Sequence, residues 1–189
     1  TLFSAYDEKI ALIEIDGGIQ LGANQRNILF GGKSTGADEI EAMLRAIQKD
    51  ARTKAVVLRV NSPGGTVGAS QELYQGILKF KEKTGMPVVA SIADMGTSGA
   101  YYTAMAADVI FANPGSLVGS IGVIMSNFNL EKLAQRFGVD VNVYKSGPHK
   151  DILSTWRAST PHEKAVLNKL VGNVHQQFVR DIMAARKMS

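Results

Sequence analysis

The sequence predicts an α/β domain with a largely parallel sheet. Three short apolar runs, residues 9–15, 55–60 and 87–93, contain β-branched residues and are typical of buried strands. Each run is followed by a segment with apolar residues at helical spacing. Because strands that alternate with helices usually pair in parallel through right-handed crossovers, we expect one sheet covered by helices.

The composition is that of a single globular domain over residues 1–189, because a chain of this length with 45% hydrophobic residues can form a substantial core. Basic residues are interspersed with acidic ones despite a net charge of +4, which argues against a nucleic-acid-binding stripe. The lack of cysteine excludes disulfides, thiolate metal sites and a cysteine nucleophile. No apolar run approaches the roughly 18 residues of a spanning helix, so we expect a soluble chain or one without its anchor.

In the first half of the chain, residues 9–15 are apolar on both faces, which predicts a central strand of the sheet. Residues 22–36 are polar and rich in glycine, and we expect a surface loop there. Amphipathic patterns predict helices over 38–50 and 66–83, the second ending at a Gly85 cap.

In the second half, apolar runs and alternation predict strands over 109–112, 118–125 and 139–144. Helical spacing predicts helices over 129–137 and 161–187. The order of these elements continues the α/β rhythm to the end of the chain.

Ser98 lies where the third apolar run changes into a helical pattern, which predicts a tight strand-to-helix turn. A serine held at such a junction has unpaired backbone N–H groups beside it, and those donors suit an oxyanion. The alternative is that Ser98 only caps the helix, as many serines in this position do. The segment also lacks the Gly-x-Ser-x-Gly pattern of the α/β-hydrolases.

A serine nucleophile needs oxyanion donors, and the sequence offers a second glycine turn for them. Gly64 and Gly65 follow Pro63 directly after a predicted strand, so a substrate carbonyl can approach their N–H groups closely. The N–H of Gly99 is the natural second donor, because it begins the helix after Ser98.

The nucleophile also needs a base, for which the sequence offers two neighbouring candidates. His149 and Lys150 follow a Ser-Gly-Pro turn at the end of a predicted strand. His162 and His175 have the ordinary spacing of a polar helix face and are weaker candidates. For Lys150, the structural alternative is an ion pair with Asp151 on the surface.

Four segments, taken in order, resemble the bacterial signal peptide peptidases of the protease IV family. They are Asn-Ser-Pro-Gly-Gly at 61–65, Gly-Thr-Ser-Gly-Ala-Tyr-Tyr at 96–102, Gly-Ser-Ile-Gly-Val-Ile at 119–124 and Lys-Ser-Gly-Pro-His-Lys-Asp at 145–151. The first of these is shared more widely, and the last is the most specific. The resemblance implies a Clp/crotonase-like α/β fold of repeated β-β-α and βαβ units in a single domain.

The resemblance also implies a Ser-Lys dyad, with Ser98 as nucleophile, Lys150 as general base and Ser120 orienting the lysine. A lysine acts as a base only when neutral, and its ordinary pKa of about 10.4 makes that form scarce at pH 7. Burial in an apolar cleft must therefore lower the pKa of this amine. Gly64, Gly65 and Gly99 would form the oxyanion hole, and no cofactor or metal is implied.

The family acts on signal peptides left in the membrane, so the resemblance implies an endopeptidase for apolar peptides. It further implies a ring-like homo-oligomer in which Lys150 reaches the serine of a neighbouring subunit. Family members carry a membrane anchor before the first strand, an extracytoplasmic catalytic domain and a further C-terminal segment. The anchor and that segment are not recognisable in this chain.

Three other functions fit parts of the pattern. A crotonase-like acyl-CoA enzyme would use the same glycine amides to hold a thioester enolate and would need no serine. A Ser-His protease would use His149 as its base. A non-catalytic scaffold would keep the fold only as an assembly surface.

Overall fold

The computed structural model describes residues 8–27 and 32–187. The chain divides into two compact units, a first unit of residues 1–121 with 178–189 and a second unit of residues 122–177. That the two form one domain stays a prediction.

The elements are, in order, β1 (Lys9–Asp16), β2 (Gly18–Gln20), β3 (Gln25–Asn27), β4 (Gly32–Gly36), α1 (Ala37–Lys49), β5 (Thr53–Ser62), α2 (Val67–Thr84), β6 (Val88–Thr97), α3 (Gly99–Ala104), β7 (Val109–Ala112), β8 (Leu117–Gly119), α4 (Glu131–Arg136) and α5 (Pro161–Arg186).

The first unit is built on a parallel sheet. Among its described residues five strands pair in the order β1-β5-β6-β7, and β8 pairs with β6 beyond the end of β7. Every pairing in this sheet is parallel, and helices connect the central strands. The predicted α/β class is therefore confirmed.

One face of this sheet and the apolar faces of α1, α2 and α3 form a single core. Each large aliphatic side chain in it contributes about 1.5–3 kcal/mol through removal from water. Its most deeply buried members are Ile13 and Ile15 of β1, Val56, Leu58 and Val60 of β5, Val88 and Ile92 of β6, Ile40 of α1, and Leu73 and Ile77 of α2. This core holds the carboxyl ends of β5 and β6 beside each other, where Ser62 is paired with Gly96.

The helices of the first unit follow the sequence patterns closely. The predicted helices over 38–50 and 66–83 appear as α1 and α2. Gly85 ends α2 in the left-handed conformation, with φ of 67°, and its N–H donates to the Lys81 carbonyl. A glycine takes this conformation without the steric cost that a Cβ atom adds, so the predicted cap is confirmed.

The prediction that the first strand is central is wrong, because β1 lies at an edge of the sheet. Ile10 and Leu12 on its outer face are 68% and 62% exposed, whereas Ile13 and Ile15 are buried. Apolar residues on both faces indicate that both faces can be covered, but they carry no information on the neighbour that a strand pairs with.

The prediction of a loop over residues 22–36 is also wrong, because β3 and β4 lie within it; residues 28–31 are outside the described part. β4 pairs with β2 in parallel and with β3 in antiparallel orientation. Thr35 anchors β4, since its hydroxyl accepts the Asp16 N–H at 2.8 Å and donates to the Asp16 carbonyl at 3.0 Å. Backbone pairing of this kind leaves no apolar periodicity to detect.

Two strands predicted in the second half differ from the structure. The strand expected over 118–125 is the short β8, and residues 139–144 form no strand within the described residues. Val141 and Val143 are 42% and 50% exposed. Alternation of apolar and polar residues makes a segment compatible with a sheet, but a strand exists only where another backbone pairs with it.

The helices expected over 129–137 and 161–187 are present as α4 and α5. In the part of the chain that the structure describes, no helix is long and apolar enough to cross a membrane.

The end of α5 packs into the first unit through an aromatic cluster. The Phe178 ring contacts the Tyr102 ring edge to face, with centroids 5.0 Å apart, and both side chains are buried. The Tyr102 hydroxyl donates to the Asp181 carboxylate, and burial together with that carboxylate raises the pKa of Tyr102.

We expect Phe178→Ala to lower the free energy of unfolding by about 3 kcal/mol, because it removes a buried ring and leaves a cavity. Arg180→Ala, at an exposed position on the same helix, should change it by less than about 0.5 kcal/mol. Urea denaturation of both variants measures the difference, and equal effects would contradict the assigned packing.

Candidate active site

Ser98 joins β6 to α3 in a strained backbone conformation. Its φ is 53° and its ψ is −124°, a combination that L-residues rarely adopt and that costs about 1–3 kcal/mol. Two hydrogen bonds hold it, from the Ser98 N–H to the Gly119 carbonyl at 2.7 Å and from the Tyr102 N–H to the Ser98 carbonyl at 2.9 Å. A sharp strand-to-helix turn of this kind presents a nucleophile at the end of a sheet.

The Ser98 hydroxyl does not cap the helix. Ser98 occupies the N-cap position of α3, but its side chain makes no capping hydrogen bond there. Its side chain is partly exposed. The helix-cap alternative raised by the sequence therefore does not account for this serine.

The glycine turn after β5 lies directly against Ser98. Gly64 is buried and has a φ of 98°, and a Cβ atom built on it would lie 2.9 Å from the Ser98 Cβ and 2.6 Å from the Gly99 nitrogen. Such distances are shorter than real carbon contacts, so a side chain at Gly64 would displace the backbone around Ser98. The turn requires glycine for both its φ and its space.

Two of the three predicted oxyanion donors have free N–H groups. Within the described residues the Gly65 N–H has no hydrogen-bond acceptor, and Gly99 begins α3, so its N–H has no acceptor in the helix. The two groups are close, since a Cβ atom on Gly99 would lie 3.2 Å from the Gly65 nitrogen. The Gly64 N–H instead donates to the Ser62 hydroxyl at 3.1 Å. The geometry favours Gly65 and Gly99.

The sequence reasoning missed two residues that shape this turn. Ser62 is fully buried, and its hydroxyl accepts the N–H two residues further on, as in other serine turns. The preference of serine for such turns is the signal by which Ser62 could have been found in the sequence. Ile19 of β2 anchors the other side, donating its N–H to the Gly64 carbonyl and accepting the Thr66 N–H, both at 2.9 Å. No local pattern connects Ile19 to the turn.

Ser120 directly follows Gly119, whose carbonyl accepts the Ser98 N–H. Gly119 pairs with Thr97 across β8 and β6, and Ser120 is exposed with a φ of 50°. It is a second non-glycine residue in the left-handed region beside the strand that carries Ser98. The structure therefore brings Ser98, Ser120 and the glycine turn to one end of the sheet.

Lys150 lies in the second unit, in a turn without helix or strand. Its side chain is exposed and, among the described residues, makes no ion pair or hydrogen bond, so the apolar burial expected for this lysine is not found within this chain. Asp151 pairs instead with Lys145, at 2.7 Å, and with Arg157. The predicted alternative of a Lys150–Asp151 ion pair is wrong, while the role of Lys150 as base stays a prediction.

His149 faces a buried carboxylate in the second unit. Its Nδ1 lies 3.4 Å from Glu163 Oε1, and its ring centroid lies 5.0 Å from that of His162. Glu163 is 1% exposed, and hydrogen bonds from Arg157 and then from the Thr160 N–H hold the pKa of its carboxyl well below the ordinary value.

Arg157 and Glu163 were not identified from the sequence. The Arg157 guanidinium, followed by Lys145, also lowers the pKa of Asp151 strongly. No motif marks these residues, because their pairing depends on how the turn folds. Within the described residues no group of three or more His, Asp and Glu side chains is arranged to hold a metal ion.

We expect Gly64→Ala to lower the free energy of unfolding by about 1–3 kcal/mol. The new methyl group would meet the Ser98 side chain, and the backbone at position 64 has a positive φ that alanine adopts only with strain. Gly68→Ala is the control, since a Cβ atom there meets open space within α2 and should stabilise by up to about 1 kcal/mol. Chemical denaturation measures both. Tolerance of Gly64→Ala without loss of stability would disprove the close approach.

The chain matches the models of two known protein families. A model of peptidase family S49 matches residues 80–189, and a model of Clp protease matches residues 20–112. Two solved structures share the fold. A ClpP1 mutant from Listeria monocytogenes has a TM-score of 0.55 and 14% identity, and the match covers 94% of this chain and 73% of that chain. A mutant of a membrane-bound stomatin-specific protease has a TM-score of 0.51 and 16% identity, and the match covers 70% of this chain and 65% of that chain. The Clp-like fold is confirmed.

Curated relatives are more similar in sequence. A putative protease of Synechocystis sp. is 38% identical over 96% of this chain and 60% of its own length. A putative signal peptide peptidase SppA of Enterococcus faecium is 33% identical over 97% of this chain and 53% of its own length. A protease 4 of Salmonella typhi is 33% identical over 82% of this chain and 25% of its own length. The chain thus spans 60% and 53% of the length of the first two of these relatives. It belongs to peptidase family S49.

Proposed function

We propose that the chain forms the catalytic region of a serine endopeptidase with Ser98 as nucleophile and Lys150 as general base. The observation that carries this proposal is the strained Ser98 at the end of β6, which lies against the glycine turn and beside the Gly65 and Gly99 N–H groups, both without an acceptor among the described residues. Strain of this kind persists where the surrounding structure enforces it, and it concentrates at active sites. Membership of a peptidase family supports the same conclusion.

The proposed reaction proceeds through an acyl-enzyme. Neutral Lys150 accepts the Ser98 hydroxyl proton as the Ser98 oxygen bonds to the peptide carbonyl carbon. The N–H groups of Gly65 and Gly99 stabilise the resulting oxyanion. Lys150 then transfers its proton to the leaving amine as the carbon–nitrogen bond breaks. Water, deprotonated by the same lysine, attacks the ester and restores Ser98.

The assignment of the base to Lys150 is supported by the partners of the nearby lysine. The Lys145 amine contacts the Asp151 carboxylate and the Pro148 carbonyl, whereas the Lys150 amine has no such partner among the described residues. We propose that Ser120 orients Lys150 by a hydrogen bond. The lysine would meet Ser98 of a neighbouring subunit in a ring-like homo-oligomer, in keeping with the Clp-like fold.

A second candidate base has one specific observation in its favour. His149 Nδ1 faces Glu163, and a carboxylate at that nitrogen orients the histidine in Ser-His-Asp and Ser-His-Glu hydrolases. Glu163 is bound more tightly by Arg157, with contacts of 2.6 and 2.8 Å. We therefore favour Lys150, and mutation separates the two.

Apolar peptides are the proposed substrates, including signal peptides left in membranes. This follows from the relatives, one of which is named a signal peptide peptidase. An extended peptide would bind beside the free Gly65 N–H as an added strand. Membrane anchoring of the full-length protein, with its catalytic region outside the cytoplasm, belongs to the same proposal.

We expect Ser98→Ala and Lys150→Ala each to lower kcat/KM for an apolar fluorogenic peptide by at least about 10⁴-fold, because each removes a group that reacts directly. Lys132→Ala, at an exposed position in the same unit as Lys150, is the matched control and should keep full activity. Activity lost in His149→Ala but retained in Lys150→Ala would transfer the base role to His149.

Treatment with a fluorophosphonate, followed by mass spectrometry, should place a single adduct on Ser98 in the wild-type protein. We expect Ser120→Ala to slow this labelling by about 10–100-fold, as removal of one orienting or proton-transfer group does. An intact oligomer that is never labelled would favour the scaffold function. Thioester turnover that survives Ser98→Ala would favour the acyl-CoA enzyme.

A further inference from the structure

The turn that carries Lys150 has little regular structure of its own. Successive turns hold it, with N–H groups of Lys150, Ile152 and Ser154 each donating to the carbonyl three residues earlier, at 3.3, 3.1 and 2.9 Å. Bonds of this kind in a partly exposed segment open easily, because they lack the cooperative support of a helix or sheet. A catalytic lysine on this turn therefore needs a further constraint.

Charged contacts supply that constraint on the C-terminal side of Lys150. Asp151 accepts two hydrogen bonds from Arg157, from Nε to Oδ2 at 2.8 Å and from Nη2 to Oδ1 at 2.7 Å. Lys145 adds a third bond to Oδ1 at 2.7 Å. The paired N–H groups of a guanidinium match the two oxygens of a carboxylate, so this contact defines orientation as well as distance.

The same guanidinium constrains the N-terminal side. Arg157 Nη2 and Nη1 donate to Glu163 Oε1 and Oε2 at 2.6 and 2.8 Å. The Oε1 atom lies 3.4 Å from His149 Nδ1, which belongs to the residue directly before Lys150. The Thr160 N–H also donates to Glu163, at 2.8 Å.

We propose that Arg157 is a positioning residue that holds the turn carrying Lys150 in the orientation needed for proton transfer. Through its two carboxylate partners it reaches both sequence neighbours of Lys150, while the Lys150 side chain itself has no partner among the described residues. The proposal rests on the proposed function, because it assigns no role to Arg157 unless Lys150 reacts.

An arginine suits this role better than a lysine. Two carboxylates that share one site repel each other, and the guanidinium compensates both through five N–H groups in a fixed plane. An ammonium group is a point charge that cannot bind both carboxylates in the same geometry. Because Arg157 lowers the pKa of Asp151 and Glu163, the network stays charged at any pH at which a lysine acts as a base.

Arg157→Lys tests the proposal in the full chain, because it keeps the charge and removes the paired geometry. With an apolar fluorogenic peptide we expect kcat to fall by at least about 10-fold while KM changes by less than about twofold, since the lysine is misplaced and the peptide groove is intact. Arg136→Lys, at an exposed position in the same unit, should match the wild type.

The rate and the extent of active-site labelling separate positioning from a merely structural role. A misplaced base slows the attack of Ser98, so we expect a fluorophosphonate to label Arg157→Lys completely but at least about 10-fold more slowly than the wild type. Partial unfolding would instead lower the fraction of protein that is labelled at completion. Circular dichroism and size-exclusion chromatography report whether the variant is folded and assembled.

Asp151→Asn decides the question if Arg157→Lys fails to fold, because it breaks the C-terminal contact and leaves the Glu163 contact in place. Complete but slower labelling, with a lowered kcat and a retained KM, in either folded variant supports the proposal, and wild-type labelling with a wild-type kcat overturns it. Full activity of Lys150→Ala would overturn the Ser-Lys function and this proposal with it. Inactive Lys150→Ala beside a normal Arg157→Lys would overturn the positioning role alone.

Discussion

The contact between the Gly64 turn and the Ser98 junction is the constraint on which the rest of the site depends. A Cβ atom on Gly64 would lie 2.9 Å from that of Ser98, so the two backbones meet with no room for a side chain between them. The parallel sheet makes this contact possible, because it places the carboxyl ends of β5 and β6 side by side. Gly119 and α3 then hold Ser98 in a conformation that an isolated chain avoids.

The two halves of the proposed mechanism are held by different physical interactions. On the nucleophile side, buried aliphatic side chains stabilise the sheet, and backbone hydrogen bonds define the turn at its end. The turn with the proposed base, in contrast, is held by charged hydrogen bonds around Arg157. Apolar packing is insensitive to small changes in charge, whereas an ion network is sensitive to them, so substitutions on the two sides should have different signatures.

The fold and the candidate site differed in how far sequence reasoning reached. Elements with their own periodicity, such as α1 and α2, were predicted within a residue or two. Elements that exist only through pairing were not, as β4 and residues 139–144 illustrate. In the site, Ser98 and its glycines were identified because they interrupt apolar runs. Arg157 and Glu163 were not, since an isolated arginine and glutamate look like ordinary surface charge.

The sequence by itself determined the α/β class, the glycine turn and the position of Ser98 at a strand-to-helix junction. Each of these depends on the spacing and the backbone preferences of residues that are neighbours in the sequence. Tertiary structure decided, within the part of the chain that is described, that β1 lies at an edge and that the Gly65 N–H has no acceptor whereas the Gly64 N–H donates to Ser62. It also decided that Asp151 there pairs with Arg157 and not with Lys150. The physical reason is the same in each case. Strand neighbours, hydrogen-bond partners and ion pairs join residues that meet only once the chain has folded. The spacing of residues along the sequence therefore does not indicate which of them will pair.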